Sequence, residues 1–321
     1  MEKNINRLVY IDLVRAIAIF YIVAILHSLG FLFNQDLMPI PLKHLVESLT
    51  DTNLALFTYI SGWFLGKYKI RYIYDIKYFY LKRLYRFFPL FFIACFSMYI
   101  AGLLLNNDTL WFRDIIQLIS TLTGISGFIK DGQPATFWYM SMIMLFYMLT
   151  PLLLYQRLRL YKIAVAFISI TTLIVITEGD KRIIFYFVFY ILGLMQIQHI
   201  ILNKVILFVI GLLFFILSIG FNITDILTFN NFIIVCLGCI FEFSVCAILC
   251  NRINQKLINV VAYSSMSVYL FHRHVFAFAK MLSNGDFWPL WYWPIVIAFT
   301  FSLAFFIQLI YDKTINKICA K

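Results

Sequence analysis

Along this chain apolar residues come in runs of about twenty, with neither the strict alternation of a strand nor the half-polar stripe of a surface helix. A run of that length matches the hydrocarbon core of a bilayer, and only a helix or a closed barrel can satisfy its backbone there. The runs cover 8–33, 42–66, 87–105, 136–154, 163–177, 183–199, 204–221, 229–250, 257–279 and 289–311. A weaker apolar segment over 110–128 carries Arg113, Asp114, Gln117 and two glycines. The most basic loop lies between the second and third runs and holds Lys67, Lys69, Arg71, Lys77, Lys82, Arg83 and Arg86. Arg157, Arg159 and Lys162 follow the fourth run, whereas Asn106-Asn107-Asp108 closes the third without a cation. Cytoplasmic loops collect Lys and Arg, so the weak segment both starts and ends outside and is expected to be interfacial or re-entrant. The pattern predicts an all-α polytopic membrane protein with about ten transmembrane helices, one such extra helix, both termini cytoplasmic, and one domain over 1–321. Seven cations then lie outside (Lys43, Arg113, Lys130, Lys181, Arg182, Arg273 and Lys280), leaving nineteen of the 26 inside.

Composition agrees. The chain of 321 residues is 63% hydrophobic and 13% charged, against roughly 45–50% and about 25% in soluble domains, which leaves no room for a sizeable soluble domain. The net charge of +11 is topogenic on this reading, and no nucleic acid is expected as a partner. The first run is too long, and too charged at Asp12 and Arg15, for a cleaved signal peptide. Of six cysteines, Cys236, Cys239, Cys246 and Cys250 share one helical face inside an apolar run and are expected to be packing residues, with no disulfide framework and no metal.

The chemistry is sought among polar residues at membrane depth, where ionisable groups are costly. Asp12 and Arg15 precede eleven nearly pure apolar residues, which end at His27-Ser28. Arg15 is placed near the cytoplasmic face and His27 beyond the middle, about 18 Å further along the axis and about 120° round a regular helix. Arg15 suits an anionic ligand or a snorkelling topogenic role; His27 suits a base or a packing histidine. Arg83 and Arg86, three apart beside Lys82, share a face fit for bidentate phosphate binding, although the positive-inside rule also wants charge there. Glu242 lies in mid-span and should be neutral or paired, in a proton-relay, substrate or packing role. Trp138-Tyr139 open the fourth run, where an aromatic belt is the default. His272 and His274, two apart, do not share a face, so a metal pair is not expected. Glu178 and Asp180 are expected to be solvated in an outer loop.

Five segments resemble, in order, the acyltransferase 3 family, integral membrane acyltransferases that mostly O-acetylate bacterial surface polysaccharides. They are Ile11-Asp12-Leu13-Val14-Arg15-Ala16-Ile17-Ala18 with His27-Ser28; Phe57 to Phe64 around Ser61-Gly62-Trp63; Lys82 to Pro89; Phe137-Trp138-Tyr139 through Thr150-Pro151; and Ser267-Val268-Tyr269-Leu270-Phe271-His272. The family spacing places ten residues between the basic residue and the histidine, which puts both on one face within about 20°. Here there are eleven, so His27 turns away unless a π-bulge absorbs the extra residue.

The resemblance implies transfer of an acyl group, in the first place acetyl, from cytosolic acetyl-CoA to a glycan or lipid-linked sugar at a bacterial plasma membrane. His27 would be the general base or a transient acyl carrier, with Asp12 orienting Arg15. Arg15, Arg83, Arg86 and Lys82 would hold the CoA phosphates. Trp138, Tyr139, His272 and Glu242 are candidate substrate-binding residues. A homo-oligomer is compatible with this reading. Two alternatives stay open: a transporter or flippase for a polysaccharide or lipid-linked precursor, and an acetyl carrier feeding a separate extracytoplasmic transferase. The second follows from the absence of the extracytoplasmic hydrolase-like domain often appended in the family.

Overall fold

Twelve α-helices account for most of the described chain. The computed structural model describes residues 9–33, 37–105, 115–128, 137–196, 203–221, 226–283 and 287–319, and no strand occurs among them. In chain order the helices are α1 (Val9–Phe20), α2 (His27–Leu32), α3 (Ile40–Gly66), α4 (Ile73–Leu105), α5 (Ile115–Leu122), α6 (Trp138–Leu154), α7 (Leu160–Thr177), α8 (Arg182–Leu194), α9 (Lys204–Gly220), α10 (Phe229–Leu249), α11 (Gln255–Leu282) and α12 (Tyr292–Cys319). A π-helical turn, Tyr21–Leu26, joins α1 to α2, and a 3₁₀ turn, Ser126–Phe128, follows α5. The all-α expectation therefore holds, and the described part of each of the ten apolar runs is mainly helical. Five helical stretches are long and apolar enough to cross a membrane: Val9–Leu32, Ile73–Leu103, Leu160–Thr177, Phe229–Leu249 and Tyr292–Thr314. The chain termini, Asn106 to Asp108, Arg113, Asp114 and Lys130 lie outside the described residues.

Helix boundaries differ from the hydropathy reading in several places. The basic loop is largely helical: α4 starts at Ile73, so Lys77, Lys82, Arg83 and Arg86 lie on the helix that continues into the apolar run. Lys and Arg are good helix formers, and hydropathy marks only where apolarity begins. The run over 183–199 stops being helical at Leu194, and Gln196 adopts a left-handed φ of 52°. α5 has eight residues, about 12 Å, too short to span. Polar side chains fix several starts: Asn203, Thr228 and Asn254 each accept an amide hydrogen bond at the N-terminus of α9, α10 and α11.

The chain forms two compact units, one of Met1–Ile60 with Gln198–Ile310, the other of Ser61–Ile197 with Tyr311–Lys321. In the first, α1 packs against α11 and α10, and α10 against α9. Helix α1 is apolar apart from Asp12 and Arg15 and is largely enclosed, with Val14, Ala18 and Ile19 fully buried. α11 inverts the soluble pattern: Ser264, Ser265, Ser267 and His272 are buried, while Leu257, Phe278 and Leu282 are exposed. Inward polar residues and outward apolar ones are what a lipid-facing helix requires.

The second unit explains the Ser-Gly segment. A Cβ on Gly62 would stand 2.3 Å from the Tyr190 carbonyl oxygen, and one on Gly66 would stand 2.4 Å from that of Leu194. The two glycines, four apart, let α3 and α8 touch backbone to backbone. Neither carbonyl can move without breaking its helix, so Gly62→Leu is expected to lower stability by about 3 kcal/mol or more. The check is thermal unfolding of the detergent-purified protein; an unchanged melting temperature would show that this crossing is loose.

Candidate functional site

The first unit brings together residues that lie some 250 positions apart. His27 Nδ1 is 2.8 Å from His272 Nε2, and the two rings are tilted by only 10° with centroids 4.7 Å apart. An N···N distance this short between nearly parallel rings means edge-to-edge hydrogen bonding, since faces cannot approach so closely. On its other side His272 Nδ1 lies 2.7 Å from the carbonyl oxygen of Tyr269, three residues back on α11. A carbonyl can only accept, so His272 carries its proton on Nδ1. In the neutral ring its Nε2 is then a lone pair, and His27 must donate from Nδ1. The proton of neutral His27 is thereby committed, and its Nε2 is left as the basic nitrogen. His272 is fully buried and His27 half-buried, so the member nearer to access is the one with the base.

The π turn makes this pairing feasible. Residues Tyr21 to Leu26 form the wide turn, and the His27 amide donates to Ile22, five residues back. The wide turn takes up the eleventh residue between Arg15 and His27, restoring the spacing that places them within about 20° of each other. Both then address one helix: Arg15 Nε donates to Ser265 Oγ at 2.9 Å, and Ser265 and His272, seven apart on α11, share a face. Because Arg15 meets the earlier residue and His27 the later, α1 and α11 run parallel. The Ala24 carbonyl inside the turn accepts from Ser28 Oγ at 2.6 Å and from Trp293 Nε1 at 3.0 Å, and Trp293 Nε1 is 2.8 Å from Ser28 Oγ as well. Ser28 beside the histidine thus supports the bulge. Nothing in the local sequence marks Trp293 for this role.

Other candidates in this unit are placed as follows. Asp12 is buried one turn before Arg15. Glu242 lies on α10, and its Oε1 is buried without a hydrogen-bond partner among the described residues. A buried oxygen left so is unfavourable by about 1–3 kcal/mol, which makes it a place for a polar group to bind. Cys236, Cys239, Cys246 and Cys250 are unbridged and packed on or at the end of α10. No group of three His, Cys, Asp or Glu side chains among the described residues is arranged to hold a metal.

The second unit holds the remaining candidates. Arg83 is half-buried between the rings of Tyr68, Phe79 and Tyr147, at 5.3, 5.6 and 5.9 Å from their centroids, with Nε buried and without a hydrogen-bond partner among the described residues. Lys82 and Arg86 are exposed, and Lys82 Nζ is 5.9 Å from the Tyr68 ring. The expected shared face is therefore split: three residues separate Arg83 from Arg86 by about 60°, enough to put one among aromatics and the other outside. Trp138 and Tyr139 do not form a surface belt. They are 6% and 2% exposed, and the Arg182 guanidinium lies 3.8 Å over the Trp138 ring. Asp180 is not simply solvated, because Arg182 Nε donates to both its carboxylate oxygens at 2.9 Å. A two-residue separation lets the bidentate pair form within the turn that opens α8.

A family described as "Acyltransferase domain" matches residues 8–309, nearly the whole chain. No curated protein and no solved structure matches it.

Proposed function

The chain belongs to this acyltransferase family, and from that premise we propose that it moves an acyl group, acetyl in the first place, from cytosolic acyl-CoA to a hydroxyl of an envelope glycan or lipid-linked sugar. It does so as a ten-crossing protein of the bacterial plasma membrane with both termini inside. The observation that carries the reading is the His27–His272 hydrogen bond, with His272 Nδ1 tied to the Tyr269 carbonyl. His27 Nε2 takes the proton of the acceptor hydroxyl as its oxygen bonds to the thioester carbonyl carbon. The C–S bond then breaks, and the proton passes from His27 to the departing thiolate. In the covalent variant Nε2 itself attacks the thioester, carries the acyl group, and yields it to the hydroxyl. Either way the charge that appears on His27 is shared with His272 through the bond at Nδ1.

His272 therefore positions the base and does not itself touch the acceptor. Glu242, whose Oε1 is buried without a hydrogen-bond partner among the described residues, is the carboxylate we assign to a polar ligand in the first unit. Asp12 orients Arg15, and Arg15 is held by Ser265 on the face that carries the dyad. Lys82, Arg83 and Arg86 serve the phosphates of the donor. Trp138 and Tyr139 act through packing, under the Arg182 cover.

The test is transfer of labelled acetyl from acetyl-CoA in membrane vesicles carrying the protein, beside acetyl-CoA binding to the purified protein. Arg83→Ala is expected to weaken donor binding about tenfold or more, since charge-assisted bonds to phosphate contribute about 1.5–3 kcal/mol each. Folded protein that neither binds nor turns over any acyl-CoA would replace the enzyme by a transporter of envelope precursors.

A further inference from the structure

The second unit contains a cavity of about 430 Å³ that no sequence motif pointed to. Three segments remote in sequence build its wall: 66–71, 154–158 and 194–196. The first two are tied together by the Gln156 amide, which donates to the Ile70 carbonyl at 2.9 Å. Gln156 and Gln196 both turn through left-handed backbone, with φ of 61° and 52°, where the chain leaves α6 and α8. Lys69, Arg71 and Arg157 line the space, and no carboxylate does. Among the described residues none of these three side chains has an acidic partner; Asp75 instead caps the Arg71 and Tyr72 amides.

Part of this positive charge answers the helices themselves. Gly66, Leu154 and Leu194 are the last residues of α3, α6 and α8, and all three line the cavity. Three helix C-termini present about −0.5 charge each, about −1.5 together. Three full cations face them, so a positive excess of about 1.5 is left over. Topogenic charge would not need a cavity, and dipole compensation would not need the excess. A volume of this size lies within the range of small-ligand sites. The wall also connects to the paired-cation segment: Tyr68 lines the cavity, and Arg83 and Lys82 lie 5.3 and 5.9 Å from its ring.

We propose that this cavity binds a phosphate-bearing ligand through Lys69, Arg71 and Arg157, with Lys82 and Arg83 behind Tyr68 as a second rank. On the donor reading above, on which this identification rests, the ligand is the nucleotide end of acyl-CoA. The same chemistry would also take the headgroup of an acidic lipid. Guanidinium forks at Arg71 and Arg157 match phosphate oxygens in pairs, and the surplus charge sets a preference for a multiply charged group.

The full-length protein in phosphatidylcholine nanodiscs is titrated with adenosine 3′,5′-bisphosphate, which carries phosphates without an acyl arm. The wild type is compared with the double variant Arg71→Gln/Arg157→Gln and with Arg252→Gln, an exposed cation of the other unit. Retention of phosphatidylglycerol by the same proteins is read by native mass spectrometry. The expected result is binding weakened at least tenfold in the double variant and unchanged in Arg252→Gln. Loss of phosphatidylglycerol retention, with no nucleotide binding even in the wild type, upholds the phosphate site, assigns it to lipid and removes the donor role. Equal nucleotide binding and equal lipid retention in wild type and double variant, with matching melting temperatures, overturns the proposal. Should the double variant not fold, Lys69→Gln and Arg157→Gln are measured singly against the same two outcomes.

Discussion

His27→Ala is expected to lower acyl transfer by roughly 10²–10⁴-fold, the range lost when a positioned general base is removed. The prediction rests on the committed Nδ1 proton, which leaves Nε2 as the basic atom of the ring. The substitution also orphans His272 Nε2 in a buried site, which costs about 1–3 kcal/mol. Activity must therefore be compared at equal amounts of folded, membrane-inserted protein, with the melting temperature read beside it. Donor affinity should survive, because the substitution leaves every cation proposed to bind phosphate in place. Transfer by His27→Ala at the wild-type rate would remove the dyad from the mechanism. Detection of an acyl group on His27 by trapping with labelled acetyl-CoA would select the covalent variant.

His272→Leu is expected to produce a loss of the same order, about 10²–10⁴-fold in kcat, although its ring meets neither donor nor acceptor in this reading. Leucine cannot accept from His27 Nδ1. The proton of His27 is then free to occupy either nitrogen, and the imidazolium formed in the reaction loses the partner that shares its charge. His272→Gln provides the contrast, because a side-chain carbonyl oxygen near the former Nε2 can still accept. Glutamine should recover a substantial part of kcat with KM for acetyl-CoA unchanged in both variants. A purely structural histidine would show matched losses in both variants that follow their melting temperatures.

The π turn shows how far local spacing reaches. Counting residues from Arg15 to His27 leaves two outcomes, a histidine rotated by about 120° or a bulge that restores the shared face. Nothing within residues 15–27 chooses between them. The choice is made by α11, which offers Ser265 and His272 on one face, and by Trp293, whose indole together with Ser28 holds the Ala24 carbonyl. A carbonyl satisfied by one side chain four residues away and another 269 residues away removes the penalty of the irregular ladder. His272 likewise reads in the sequence as a substrate contact, since a histidine on a largely apolar helix does not disclose its partner. The basic cavity is illegible for the same reason: Lys69, Arg71 and Arg157 look like ordinary positive-inside residues until three helix ends converge on them.

By itself the sequence determined the all-helical class, the position of each apolar helix to within a few residues at most ends, and the family, through ordered motifs around Arg15, His27, Gly62, Arg83 and His272. These are decided by composition and short-range spacing, because bilayer-length apolar runs have helix as their sole open-chain solution. Only the tertiary structure decided that Arg83 lies among aromatic rings while Arg86 does not, that Gly62 and Gly66 are there for contact with α8, and that His27 and His272 form one hydrogen-bonded pair. Such facts depend on which helices meet and at what rotation. In an apolar medium that is chosen by close packing and by the need of every buried polar atom for a partner, and both are properties of pairs of helices distant in sequence.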